Sequence, residues 1–337
     1  MERKVLVRDV LTALDNITGG RVIKSIEDYT GGKNPFVVTK SSDIPGKAVT
    51  ETPGLVWGSL DQEVSKIAVM MTLTESAIEL AGATGVDAIV AHHPIADAAN
   101  SGGVLLKTYL SLYKVAAFEL HEAFHGLHPG IAYLHGHKAY HVNIKYGGIP
   151  GNILYVGEAL PEVKTVGDIL TRLDTLMGTK TEEKLLSYER ELRGCPSIEE
   201  TSVIARGKIL VGKVENPVKK VIHIFPHTGF TPEHLEKVVE EHPGADTLLA
   251  TISRVYPGND LISKAEELGL NFICGNSHAL EIMENGLPLA RAIQLYLPDV
   301  EVVVFRERVT SVPLDALGST EIQDYAHEIA KKFLVKK

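Results

Sequence analysis

The residues best suited to chemistry in this chain are its histidines. There are fourteen, and they cluster. His92 and His93 are adjacent, and six more fall between His121 and His141. Neutral imidazole is a common metal ligand. His121 and His125 stand four apart, so a helix opening there would carry both on one face. His278 and Glu281 stand three apart and share a face in the same way. Glu281 reads either as a carboxylate ligand that also moves protons or as a capping residue tied to its own backbone. His128, His135, His137 and His141 read as a histidine-rich stretch outside the ligand set. A metal site of His92, His93, His121, His125, His278 and Glu281 would take one or two divalent ions. Imidazole-rich donors favour zinc, iron, cobalt, nickel or manganese over magnesium or calcium.

These residues fall at the ends of apolar runs. Lys66–Met71, Ala88–Ala91 and Val115–Phe118 read as buried strands, separated by helical patterns over Thr72–Ala83 and Val104–Tyr113. The second run ends in His92-His93-Pro94 and the third near His121. Strands alternating with helices of this length imply a parallel sheet. In such sheets ligands bind beyond the carboxyl ends of the strands. Consecutive strand residues point to opposite faces, so His92 and His93 can serve two cations only where the strand has ended. The order repeats later: strands over Val218–Phe225, Thr247–Ala250 and Asn271–Cys274, with helices over Thr231–Glu241 and Asp260–Leu268. Gly85-Val86-Asp87 and Gly244-Ala245-Asp246 are matching turns. The pattern is an internal duplication, an α/β chain of two similar lobes with mainly parallel sheets. Residues 1–145 form the first lobe and 146–337 the second, with the metal site between them. Gly147–Gly151 reads as a hinge, Phe36–Val38 as a short strand, and Lys180–Glu200 as a solvated excursion.

A length of 337 residues suits two domains. A net charge of -9 argues against a nucleic-acid partner. Two cysteines, Cys195 and Cys274, make no disulfide framework, and a reducing, cytoplasmic setting is expected. No run of apolar residues is long enough for a membrane span. Gly-x-Gly-x-x-Gly, Gly-x-Ser-x-Gly and Cys-x-x-Cys are absent.

Several segments together resemble the NIF-three-like dinuclear-metal proteins, many labelled as homologues of type 2 GTP cyclohydrolase I. They are Gly54-Leu55-Val56-Trp57-Gly58, Ala91-His92-His93-Pro94, Ala117 to His125 with Pro129-Gly130, Tyr155-Val156-Gly157-Glu158, and Gly275-Asn276-Ser277-His278 to Glu281. The resemblance implies a two-metal site held by His92, His93, His121, His125, His278 and Glu281, and a ring-shaped homohexamer. The chain departs from the family pattern in four places. His125 replaces the usual aspartate. The closing pair is three apart rather than four, which leaves Glu284 as an alternative to Glu281. Thr251-Ile252-Ser253-Arg254 replaces Thr-Gly-Asp, and Ile153-Leu154-Tyr155 replaces a glycine-rich stretch. Losing the aspartate removes a negative charge that two adjacent cations would need.

The function expected is a metal-dependent hydrolase or cyclohydrolase acting on a small substrate, a nucleotide by the family label, through metal-bound water. Glu281, Glu119 or Glu122 would move protons. A non-catalytic metal-binding or regulatory protein would use the same histidines, with no open coordination position.

Overall fold

A computed structural model describes residues 4–41, 48–95, 106–251 and 255–335. Two mixed sheets dominate it. The strands are β1 (Thr39–Ser41), β2 (Ala48–Thr50), β3 (Gly54–Trp57), β4 (Lys66–Met70), β5 (Ala88–Ala91), β6 (Ala116–Glu119), β7 (His137–Asn143) and β8 (Ile153–Ala159). They continue with β9 (Glu199–Glu200), β10 (Lys208–Val211), β11 (Lys220–Phe225), β12 (Thr247–Ala250), β13 (Asn271–Cys274), β14 (Glu301–Val304) and β15 (Thr310–Ser311).

The first sheet has the order β14-β4-β5-β6-β3, parallel except for the edge strand β3. The second has the order β10-β13-β12-β11-β8-β7. Only β11-β12 and β12-β13 are parallel there; β10, β8 and β7 join antiparallel. The second sheet is therefore mixed rather than mainly parallel. Both sheets are covered on both faces, which is why their central strands read as unbroken apolar runs. Ile67, Val69, Val90 and Phe118 pack on the helices Val7–Thr18 and Leu287–Tyr296. Ala68, Ile89 and Ala117 face the helices Glu75–Thr84 and Leu106–Tyr113. In the second sheet Ile222, Leu248 and Phe272 pack on Pro232–Glu241 and Asp260–Glu267, while Val221, Leu249 and Ile273 pack on Val166–Leu176.

The two Gly-x-Asp turns make matching hydrogen bonds. The Asp87 carboxylate accepts the Ser65 and Lys66 backbone N–H groups at 2.7 and 3.0 Å, and the Asp246 carboxylate accepts that of Lys219 at 3.0 Å. The Asp87 N–H donates to Lys66 O and its carbonyl accepts from Ala116; Asp246 does the same with Lys220 and Asn271.

The sheets do not divide the chain at residue 145. β7 already belongs to the second sheet, and the helix Leu287–Tyr296 with β14 returns to the first. Gly147–Gly151 lies in the connection between the antiparallel neighbours β7 and β8, so it is a hairpin loop and not a hinge. Strand structure begins at Thr39 rather than Phe36, because residues 35–36 form a turn. Lys180–Glu200 is largely the helix Thr179–Leu192, which buries Leu186 beside Cys195 and Ile198. No helix among the described residues is long and apolar enough to cross a membrane.

Candidate metal centre

The carboxyl ends of β5 and β6 present the first four histidines. Beyond Ala91 the ladder continues for two residues: His92 N–H donates to Met70 O at 2.9 Å and His93 N–H to Met71 O at 2.8 Å. Both imidazoles are thereby fixed just past the strand end. After β6 the chain runs through turns rather than a helix, because Gly126 adopts a φ of 71° and Pro129 follows. The turns still bring His121 and His125 together, with ring centroids 4.4 Å apart. Arg21 holds this segment by donating from Nη1 to Ala123 O and His125 O.

The closing residues arrive from the second sheet. Past Cys274, His278–Glu281 forms one helical turn, followed by a wider turn over Ile282–Gly286. Widened turns of this kind are frequent at functional sites. Gly286 packs against Ile282 and Met71, and a Cβ there would push the Ile282 side chain aside. The site therefore lies where the chain crosses from one sheet to the other.

Three groups of potential ligand atoms result, each within 4.8 Å: His92, His121 and His125; His93, His278 and Glu281; and Glu51, His121 and Glu122. The six residues singled out from the sequence all fall in the first two groups. Glu281 links those groups: Oε1 is 3.5 Å from His92 Nε2, while Oε2 is 3.0 Å from His93 Nε2 and 2.8 Å from His278 Nδ1. Burial alone would raise the Glu281 carboxyl, but His93, His278 and His92 hold it well below the usual range, as an anion. Glu284 does not join the cluster. It is fully buried, accepts from Asn276 Nδ2 at 2.8 Å, and burial pushes it up to about 8. Glu119 is engaged elsewhere, accepting from Thr52 N–H and from Ile95 N–H at 2.9 Å.

The donor chemistry fits a divalent cation. His125 Nδ1 lies 3.4 Å from Glu122 Oε2, and its Nε2 faces His92 Nε2 at 3.2 Å. Burial drives the His92 and His125 pKa values down, so these imidazoles stay neutral and able to coordinate. Two facing ring nitrogens beside a buried carboxylate can share a cation in place of a proton.

The other four histidines of that stretch lie elsewhere. His128 packs on Phe124, and His141 lies beside His242. His135, His137 and His223 form a separate, fully buried group within the second sheet. Sequence reasoning missed Thr72, whose Oγ1 is 2.8 Å from His93 Nδ1, and Glu51, 2.9 Å from His121 Nδ1. No periodicity marks either; only the tertiary fold brings them in. Positions 252–254, within the departure noted at Thr251, lie outside the described residues.

Fold and site thus define a class: a mixed α/β protein with clustered histidines and a glutamate able to hold metal where its two sheets meet. Residues 38–99 match the Duf34/NIF3 (NGG1p interacting factor 3) family. Over most of its length the chain is similar in structure to a Bacillus cereus protein related to NIF3, with a TM-score of 0.55 and 12% identity, covering 91% of this chain and 98% of that one. It is also similar to reduced HcgD from Methanocaldococcus jannaschii (TM-score 0.52, 19% identity, 83% and 94% covered). A third is TTHA1606 from Thermus thermophilus (0.52, 15% identity, 90% and 98% covered). No curated protein matches the chain. The matched segment and the shared fold make the chain similar to the NIF3-like proteins.

Proposed function

We propose that this chain is a metal-dependent hydrolase, of cyclohydrolase type, acting on a small substrate, with a nucleotide as the first class to test. The carrying observation is the one-sided exposure of the ligand set. The side chains of His92 and His125 are 0% and 3% exposed, those of His93 and His121 18% and 19%, and that of His278 62%. A purely structural centre closes its ligands on all sides, whereas a catalytic one keeps a side open. A divalent ion bound here supplies Lewis acidity and an acidified water. The protein's part is to hold Nε2 of His92 and His125 toward one position and Glu281 Oε2 toward its neighbour. Glu281, kept ionised among imidazoles, is placed to offset the cation's charge and to orient a water for attack. The family likeness extends the proposal to a homohexamer, with no nucleic-acid or membrane partner.

The test is metal content and turnover on one tag-free preparation, with sedimentation for assembly. About one or two first-row metals per chain are expected, lost in His93→Ala. Hydrolysis of a nucleotide and phosphoester panel should vanish on chelation, return with zinc, iron, cobalt, nickel or manganese, and be absent in His93→Ala. Full activity after chelation would sink the proposal. Bound metal with no turnover would favour the non-catalytic reading.

A further inference from the structure

The histidine at position 125 leaves the cluster short of anionic charge. Its six residues carry one carboxylate, Glu281. Two more carboxylates stand directly behind the imidazoles. Glu51 Oε2 is 2.9 Å from His121 Nδ1, and Glu122 Oε2 is 3.4 Å from His125 Nδ1. Glu122 Oε1 is also 3.7 Å from His121 Nδ1. Their side chains are only 4% and 6% exposed, so each charge is taken from water to meet an imidazole.

Both carboxylates are held in place. Glu51 directly precedes Thr52, whose N–H and hydroxyl both donate to Glu119 Oε1 at the end of β6. Glu119 Oε2 accepts Ile95 N–H from the segment leaving His92-His93. One buried carboxylate thus ties the segment carrying Glu51 to the histidine-bearing loop. Gly151, with a φ of 83°, lies against the Glu122 carboxylate, where any Cβ would crowd it.

We propose that Glu51 and Glu122 are positioning residues of the metal centre, each accepting the Nδ1–H of one ligand imidazole so that Nε2 is presented to the cation. This rests on the metal reading above. The physical effect is twofold. The carboxylate fixes the tautomer and orientation of the ring, and it makes Nε2 a stronger donor. The two carboxylates also supply, one bond removed, the negative charge that the ligand shell lacks.

The experiment uses the full chain and its Glu51→Gln and Glu122→Gln variants. Zinc affinity is measured by competition with a chromophoric chelator, and ring tautomers by 15N NMR of the metal-free proteins. Trp57 fluorescence and circular dichroism check folding. Zinc affinity should fall about 10–100-fold in each variant at unchanged stoichiometry. His121 and His125 should carry their proton on Nδ1 in the parent. That preference should be lost at His121 in Glu51→Gln and at His125 in Glu122→Gln. Affinities within twofold of the parent, or Nε2–H tautomers in the parent, overturn the proposal. Loss of one zinc per chain in a variant also overturns it, because the carboxylate would then be a ligand. If the parent binds no zinc while both tautomers are as stated, the metal reading has failed, and the positioning role with it. If one variant does not fold, the other still decides, since the two serve different rings.

Discussion

At the scale of single residues, the buried histidines away from the metal centre offer the cleanest test of the electrostatics. Burial pushes His135 down to about 4 and His137 down to about 3, and drives His223 well below the usual range. His137 Nε2 lies 3.0 Å from His223 Nδ1, and His137 reaches there by lying over Gly157 on β8, where a Cβ would collide with it. The sign follows from linkage. In the unfolded chain such a histidine binds a proton near pH 6.5, whereas His137 in the fold does not until about pH 3. Its contribution to stability is therefore complete above pH 6.5 and is lost as pH falls through the window between those values. His137→Phe removes that proton uptake. Relative to the variant, the parent should lose stability at a rate approaching about 1.4 kcal/mol per pH unit below pH 6, or roughly 2.3 kcal/mol between pH 6.5 and 4.5. Urea titrations at several pH values read this directly. Parallel stability curves would show that His137 titrates normally in the fold.

At the scale of elements, the two β-α-β-α-β units were legible because their strands are continuous apolar runs and their helices keep a 3.6-residue period. The two Gly-x-Asp turns were legible as well, and their aspartates do the same work in both sheets. Asp87→Asn and Asp246→Asn should each cost on the order of 1–2 kcal/mol, because each weakens a carboxylate cap on the backbone entering its sheet. The sites are in separate sheets with no shared partner, so the double variant should equal the sum within about 0.5 kcal/mol. Strong coupling in denaturation curves would mean that the turns are not independent copies. Other elements were not legible. β7 alternates half-buried and exposed residues after the buried His137, and it was read only as a histidine-rich stretch outside the ligand set. His121–His125 reads as a helical pair by spacing, yet Gly126 and Pro129 keep it in turns, and only the ends of β5 and β6 make the pair converge. Glu51 carries no local signal, since its neighbour His121 is 70 positions away. The choice between Glu281 and Glu284 was likewise tertiary: the turn after β13 sends the first toward His93 and the second toward Asn276.

At the scale of the whole molecule, the candidate centre joins the two sheets. His92, His93, His121 and His125 follow strands of the first sheet, while His278 and Glu281 follow β13 of the second. The chain then passes back to the first sheet through Leu287–Tyr296 and β14. A cation held by both sets should therefore act as a clamp across the crossing, stabilising the folded state by an amount that grows with the logarithm of free metal over Kd. At a free metal concentration 1,000 times Kd the gain is about 4 kcal/mol. For a chain of this size that corresponds to a rise in Tm of about 6 °C. His278 separates the clamp from ordinary packing. Its side chain is 62% exposed, so His278→Ala should leave the metal-free protein nearly as stable as the parent. The same variant should lose much of the metal-induced rise in a thermal scan, because the second sheet then contributes Glu281 alone. If added zinc raises Tm equally in parent and variant, the metal is held by the first sheet only, and the crossing is fixed by packing on Met71 and Ile282 instead.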